Sequence, residues 1–294
     1  MMEFKTEYEN KVQVVNQTLA RYLPPVESQP AELHGAMRYA VLSGGKRLRG
    51  VLVLAGAEWA GGDMQAVEPL AAAVECIHAY SLIHDDLPAM DDDDFRRGQP
   101  SCHKKYNEAT AILAGDALHT FAFELVSRLE NRQAIPLILS DLAIHAGLGG
   151  MITGQAYDLK YQGDPDKLTL EDVRRIHLHK TAAIIRCSVR IGAIAANATA
   201  RELDTVSKYG DAIGLGFQIV DDLLDVVGSS EELGKTAGKD ASQQKITYPA
   251  IMGLKGARDK ARECIDTAIQ ALREYPDRSA FLQGIADYIL TRSR

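Results

Sequence analysis

Residues 66–94 read AVEPLAAAVECIHAYSLIHDDLPAMDDDD. From Ala66 to Leu87 the apolar residues recur at helical rather than alternating spacing, and Ala dominates. Pro88 cannot continue an ordinary helix and marks its end. Asp85-Asp86-Leu87-Pro88-Ala89-Met90-Asp91 and the following Asp92, Asp93 and Asp94 then place carboxylates directly on the end of an apolar rod. The flanking Tyr80, Leu82 and Ile83 make this more than a solvated acidic face, although a single motif of this kind has little specificity.

The same helical spacing extends outward in both directions. Residues 3–22 predict a first helix stopped by Pro24 and Pro25, and 31–42 a second closed by Gly44 and Gly45. Further helices are predicted over 51–60, 108–130, 136–160, 169–196 and 202–227, then 246–254, 256–274 and 278–291. Thr169 with Asp172 has the form of a capping box. No segment reads as a strand. The expectation is an all-α bundle of about ten helices, one domain spanning 1–294, with no linker, repeat or low-complexity block.

Composition narrows the function classes. The chain has 294 residues, 46% apolar, with a net charge of −7. A generic nucleic-acid binder carries a basic patch or a high pI, and this chain has neither. No uninterrupted run reaches the roughly 18 apolar residues of a membrane-spanning helix. The polar N-terminus is not a signal peptide, so the expected location is the cytoplasm. Cys76, Cys102, Cys187 and Cys264 are far apart and form neither a zinc motif nor a disulfide frame.

A second acidic motif, Asp221-Asp222-Leu223-Leu224-Asp225, lies about 130 residues after the first. Asp221 and Asp225 share a helix face, and Gln218 lies on it too. Clustered carboxylates repel one another and call for cations. Magnesium suits them, since it is usually held by one or two carboxylates plus substrate phosphates. An EF-hand is excluded because Arg96 stands where that loop needs Gly. The basic partners are Gly44-Gly45-Lys46-Arg47-Leu48-Arg49 at a helix start, Arg96-Arg97 after the first motif, Lys180-Thr181 mid-helix, and Lys235, Lys239 and Lys245 after the second. Helix starts favour anions and Arg suits bidentate phosphate recognition. The spacing is not that of a P-loop.

In combination, GGKRLR, YSLIHDDLPAMDDDDFRRG, GQAYD, KT and FQIVDDLLD followed by GK resemble the short-chain trans-isoprenyl diphosphate synthases, most closely the bacterial farnesyl-producing branch. The resemblance runs from about Gly35 to Pro249. It implies an all-α bundle around a deep central cavity, usually a homodimer. It implies Asp85 and Asp91 as ligands of a first magnesium pair with Asp86 in support. Asp221 would hold a third ion, supported by Asp222 and Asp225. Arg96, Lys180, Thr181, Gln218 and Lys235 would contact an allylic diphosphate. Lys46, Arg49, His78 and Arg97 would bind isopentenyl diphosphate. Gln155 and Asp158 match the GQxxD positions, and Lys245 a later basic one.

The implied reaction is ionisation of the allylic diphosphate, attack by the isopentenyl double bond, and loss of a proton. Dimethylallyl and then geranyl diphosphate would be the acceptors. Rival readings are a geranylgeranyl or longer-chain synthase, a terpene cyclase, and a catalytically silent helical subunit.

Asp91 is six residues after Asp85, about 240° round an ideal helix, so the chain must bend at Pro88 to bring it back. The resemblance makes Tyr80 the floor that limits product length. Ideal geometry puts Tyr80 about 140° off the Asp85 face and favours Ser81 instead.

Overall fold

A computed structural model describes residues 2–161, 168–227 and 247–291. The described residues form an all-α bundle. In chain order the helices are α1 (Met2–Tyr22), α2 (Ala31–Leu42), α3 (Leu48–Trp59), α4 (Glu68–Asp85), the short α5 (Cys102–Lys105), α6 (Glu108–Ser127), α7 (Ile135–Ala146), α8 (Met151–Tyr161), α9 (Leu170–His177), α10 (Ala183–Ala195), α11 (Ala200–Val227), α12 (Tyr248–Ala271) and α13 (Ala280–Thr291). One turn of π-helix, Leu178–Ala182, joins α9 to α10.

The starts are set by local chemistry. Asn107 accepts the Thr110 N–H to cap α6. Thr169 and Asp172 make the reciprocal capping box that opens α9, as their spacing predicts. Pro69 stands in the first turn of α4, where its missing N–H costs no helix bond.

Three expectations are corrected. The predicted helix 136–160 is two helices, because Gly147 to Gly150 break it. A Cβ at Gly150 would stand 1.9 Å from the carbonyl oxygen of His145, a turn only glycine permits. The predicted break between 246–254 and 256–274 is a kink at Gly253, with φ of 71°, inside α12. A small strand pair also exists: β1 (Phe95–Arg96) and β2 (Gln99–Pro100) run antiparallel. With only two residues per strand it has no periodicity to read.

Helices α3 and α10 pack backbone to backbone at the centre of the bundle. A Cβ at Gly56 would lie 2.2 Å from Val189 O, and one at Gly192 2.1 Å from Val53 O. Both helices contribute to two apolar clusters. Val53, Leu54, Ile184 and Ile191 join α1, α2, α4, α6 and α7 in one. Val51, Leu52, Trp59, Ile185 and Val189 join α11, α12 and α13 in the other.

Three helical stretches reach the length and mean hydropathy of a membrane span: Gln65–Asp85 (1.3), Glu108–Ser127 (1.3) and Ile135–Tyr161 (1.6). The absence of an uninterrupted apolar run had not anticipated this, since one or two charges interrupt a run without lowering its mean much. Of the first, 72% is buried inside the protein; for the other two the share is 39% and 33%. Their apolar surplus therefore faces outward.

Candidate active site

The end of α4 supplies the first acidic group. Helical bonding stops at Asp85, and the chain loops back so that the Asp91 N–H donates to the Asp85 carbonyl at 2.8 Å. This bend brings the two residues together despite their six-residue gap. Burial raises the Asp85 carboxyl to about 6; Lys180 opposes the shift and Asp91 adds to it. A half-buried carboxylate near a second one favours a cation between them.

Asp86 points elsewhere. It is 2% exposed and pairs with Arg96, whose guanidinium also reaches Asp93 at 3.2 Å. Asp92 and Asp94 are exposed, and Asp94 pairs with Lys104 at 2.8 Å.

The π-turn carries the link between the two acidic motifs. Lys180 Nζ donates to Asp158 at 2.6 Å. Burial works against its charge, but Asp158, Asp85 and Asp91 hold its pKa above the ordinary lysine value. The next residue, Thr181, donates to Gln218 Oε1 at 2.9 Å, and Gln218 Nε2 donates to Asp222 at 3.2 Å. Two consecutive side chains thus reach toward opposite motifs. A five-residue turn makes room for this, and Gly154 of the GQAYD stretch lets α8 press on it: a Cβ there would meet Lys180 N at 2.1 Å. Gln155 beside it has both amide atoms buried without a hydrogen-bond partner, an arrangement that awaits a polar ligand.

On α11, Asp221 is half-buried and influences Arg49 across the site. Asp222 and Asp225 are buried. Asp222 accepts the Tyr248 backbone N–H at 3.1 Å and so caps α12. Beside it His177 stacks on the Tyr248 ring, centroids 5.4 Å apart. Burial drops the His177 imidazole to about 3, so it is neutral.

The basic wall assembles around His78. Burial and then Arg49, Arg97, Arg96 and Arg47 push that imidazole well below its usual pKa. Burial also lowers Arg97 to about 10, with Arg47 adding to the shift. Arg49 Nε is buried without a partner. Cations gathered around a neutral ring create a site that an anion would relieve.

Within GGKRLR the roles divide. Lys46 is exposed and Arg49 half-buried. Arg47 is spent inside, donating to Val41 O at 2.7 Å and Asn16 Oδ1 at 2.8 Å, with Glu75 at 3.5 Å. Sequence reasoning missed Glu75, a charge in the alanine-rich middle of α4; its 3% exposure and bond to the Gly50 N–H make it the counterion of that motif.

Tyr80 is 7% exposed and turns toward α6, with the His119 ring at 4.9 Å and the His84 ring at 5.8 Å. Ser81 is half-buried and bonds back to His78 O at 2.9 Å. Lys235, Lys239 and Lys245 lie outside the described residues. All four cysteines are free and buried. Cys187 lies near Asp141 and His145, but Asp141 is held by Arg190 at 2.8 Å, so this group is an internal ion pair.

The arrangement presents carboxylates on one side, cations on the other, and a lysine–threonine pair between. Known proteins similar in sequence and fold give the family. A polyprenyl synthetase family profile matches residues 30–282. The chain is 47% identical to the farnesyl diphosphate synthase of Escherichia coli (strain K12) over 302 residues, covering 100% of each. It is 44% identical to the chloroplastic heterodimeric geranylgeranyl pyrophosphate synthase large subunit 1 of Arabidopsis thaliana over 289 residues, 96% of this chain and 77% of that one. The structure of the geranyltransferase from Helicobacter pylori, complexed with magnesium and isoprenyl diphosphate, matches with a TM-score of 0.85 at 34% identity, covering 97% of this chain and 96% of that one. Motifs, fold and relatives meet in one conclusion: this chain belongs to the polyprenyl synthetase family.

Proposed function

We propose that the chain is a magnesium-dependent prenyltransferase. It condenses isopentenyl diphosphate with dimethylallyl and then geranyl diphosphate to give farnesyl diphosphate. The observation that carries this reading is the placement of Lys180 and Thr181, whose side chains reach from adjacent positions toward the two acidic motifs.

The donor set fits magnesium. Asp85, Asp91 and Asp221 offer only oxygen, and the Asp91 charge adds to the upward push on the Asp85 carboxyl, a crowding that a divalent cation would relieve. We assign these three as ligands, for up to three ions, with Asp225 in support. Bound magnesium supplies positive charge to the leaving diphosphate.

The chain's own residues do the rest. Lys180 and Thr181 hold the allylic diphosphate, with Gln218 fixing the Thr181 hydroxyl and Gln155 offering its unpartnered amide. Arg96 adds to the cationic surround, and the resemblance assigns Lys235, and Lys245 as a later basic position, to the same substrate. When the allylic C–O bond breaks, the diphosphate keeps the electron pair, and these donors stabilise that charge where it develops. Lys46, Arg49, His78 and Arg97 hold isopentenyl diphosphate so that its double bond attacks the allylic carbon. A proton then leaves to the released diphosphate. The growing tail runs along α4 toward Tyr80, whose burial against His119 favours a fifteen-carbon stop.

The outward Ile112 and Leu113 of α6, Leu137 and Ile144 of α7, Leu148, and Ile152 of α8 suit a second copy of the chain, giving a homodimer of single-domain subunits. Reduced, buried thiols suit the cytoplasm. Incubating the purified chain with radiolabelled isopentenyl diphosphate and geranyl diphosphate tests the reading. A fifteen-carbon product that disappears with a chelator is expected. Consumption of farnesyl diphosphate without isopentenyl diphosphate, or no product at all, overturns it.

A further inference from the structure

Arg96 and Arg97 ride on the smallest element of the fold. Strands β1 and β2 are joined by Arg97-Gly98, both with positive φ, 55° and 72°. Such a turn matches the twist of a hairpin, but a left-handed arginine is unfavourable and needs support from its surroundings. One support is visible in front: the Arg97 guanidinium donates to Gly44 O and lies over Gly45, where a Cβ would come within 2.8 Å of Arg97 Cζ.

Behind, the first strand is held by Arg96, which pairs with Asp86 at the end of α4, but the second strand has little to rest on. Phe95 is 61% exposed, Gln99 and Pro100 are exposed, and a cavity separates the hairpin from α2 and α4. The Tyr39 hydroxyl crosses this gap and donates to Pro100 O at 2.6 Å. The Tyr39 ring is itself held: Lys105 Nζ stands 3.8 Å from its centroid and the Tyr106 ring meets it edge-on at 5.9 Å. Tyr39 therefore ties the second strand to α2, while the Arg97 side chain ties the turn to the loop after α2. With the Arg96–Asp86 pair holding the first strand, these two ties fix the turn and the second strand.

We propose that Tyr39 is a positioning residue for Arg97, and through it for the diphosphate of isopentenyl diphosphate. This rests on the reading above that assigns Arg97 to that substrate. Tyr39 does not touch the reacting atoms. Its hydroxyl keeps the hairpin seated so that the guanidinium stays over Gly44 and Gly45, beside Arg49 and His78. Loss of the hydroxyl loosens the second strand and the turn, leaves the Arg96–Asp86 pair on the first, and keeps the ring that packs on Lys105 and Tyr106.

A double-mutant cycle with Tyr39→Phe and Arg97→Gln tests this, after melting curves confirm that both variants fold. Tyr39→Phe is expected to raise KM for isopentenyl diphosphate roughly three- to tenfold, the fold-change of one lost hydrogen bond. The KM for geranyl diphosphate and kcat stay within about twofold. In the Arg97→Gln background, Tyr39→Phe then adds nothing, because the two act in series. Equal rises in both KM values, additive effects, or no effect overturn the proposal. Wild-type turnover in the same assay tests the functional reading separately. If the wild type is inactive, the same cycle is read from inorganic pyrophosphate binding by calorimetry: a coupled loss supports the role of Tyr39, and an absent or additive one rejects it.

Discussion

Asp221 and Asp222 are neighbours with different surroundings. Asp222 is 3% exposed and accepts from the Tyr248 N–H and from Gln218, while Asp221 remains half-buried. Asp222→Ala is therefore expected to destabilise the fold by about 1–3 kcal/mol, the penalty for orphaning buried donors, as read from urea unfolding. Asp221→Ala is expected to cost less, since that side chain is only half-buried. Asp86 follows the same logic through Arg96. Helical spacing grouped Gln218 with Asp221 and Asp225, yet its amide donates to Asp222, and nothing in the sequence gives Asp85 and Asp86 distinct surroundings. Only the packing of α12 and of the strand pair separates them. Tyr80 is a further case: helix geometry favoured Ser81, but contact with His119 and His84 gives the tyrosine its buried place. Tyr80→Ala is expected to shift product toward twenty carbons and beyond on reversed-phase chromatography; unchanged fifteen-carbon product counts against the floor.

Among the elements, the long helices were legible because their apolar residues repeat over many turns and their caps are local. The capping box at Thr169 and Asp172 is contained within four residues. The π-turn at Leu178–Ala182 was not legible, because its sequence, LHKTA, is compatible with ordinary helix and the extra residue is imposed by neighbours such as Gly154. The contact between α3 and α10 was equally hidden, since Gly56 and Gly192 each look like a mild helix defect when read alone. Together they let two backbones touch. Gly56→Ala is expected to cost about 1–3 kcal/mol through overpacking, rather than gain from alanine's better helix propensity. Thermal unfolding decides: a raised Tm contradicts the close approach.

For the molecule as a whole, the junction of α11 with the C-terminal segments is a charged one. Glu202 accepts from Arg278 and from the Thr199 backbone N–H and hydroxyl, and these bonds hold its carboxyl at about 2. A carboxyl lowered by folding contributes stability that is fully present above its ordinary value of 4.5 and is lost as pH falls toward 2. Wild type is thus expected to exceed Glu202→Gln in stability at neutral pH, with the gap closing as pH drops through that window. A gap that persists at pH 2 would assign the difference to packing.

The central claim is that the two acidic motifs act as one unit on a single diphosphate, with cations facing them. Steady-state turnover of isopentenyl and geranyl diphosphates by Asp85→Asn, Asp221→Asn and the double variant, each over a magnesium titration, tests it most directly. Each single change is predicted to lower turnover by roughly a hundredfold or more, with the double variant little worse than either single one. Wild-type turnover in the double variant would contradict the account.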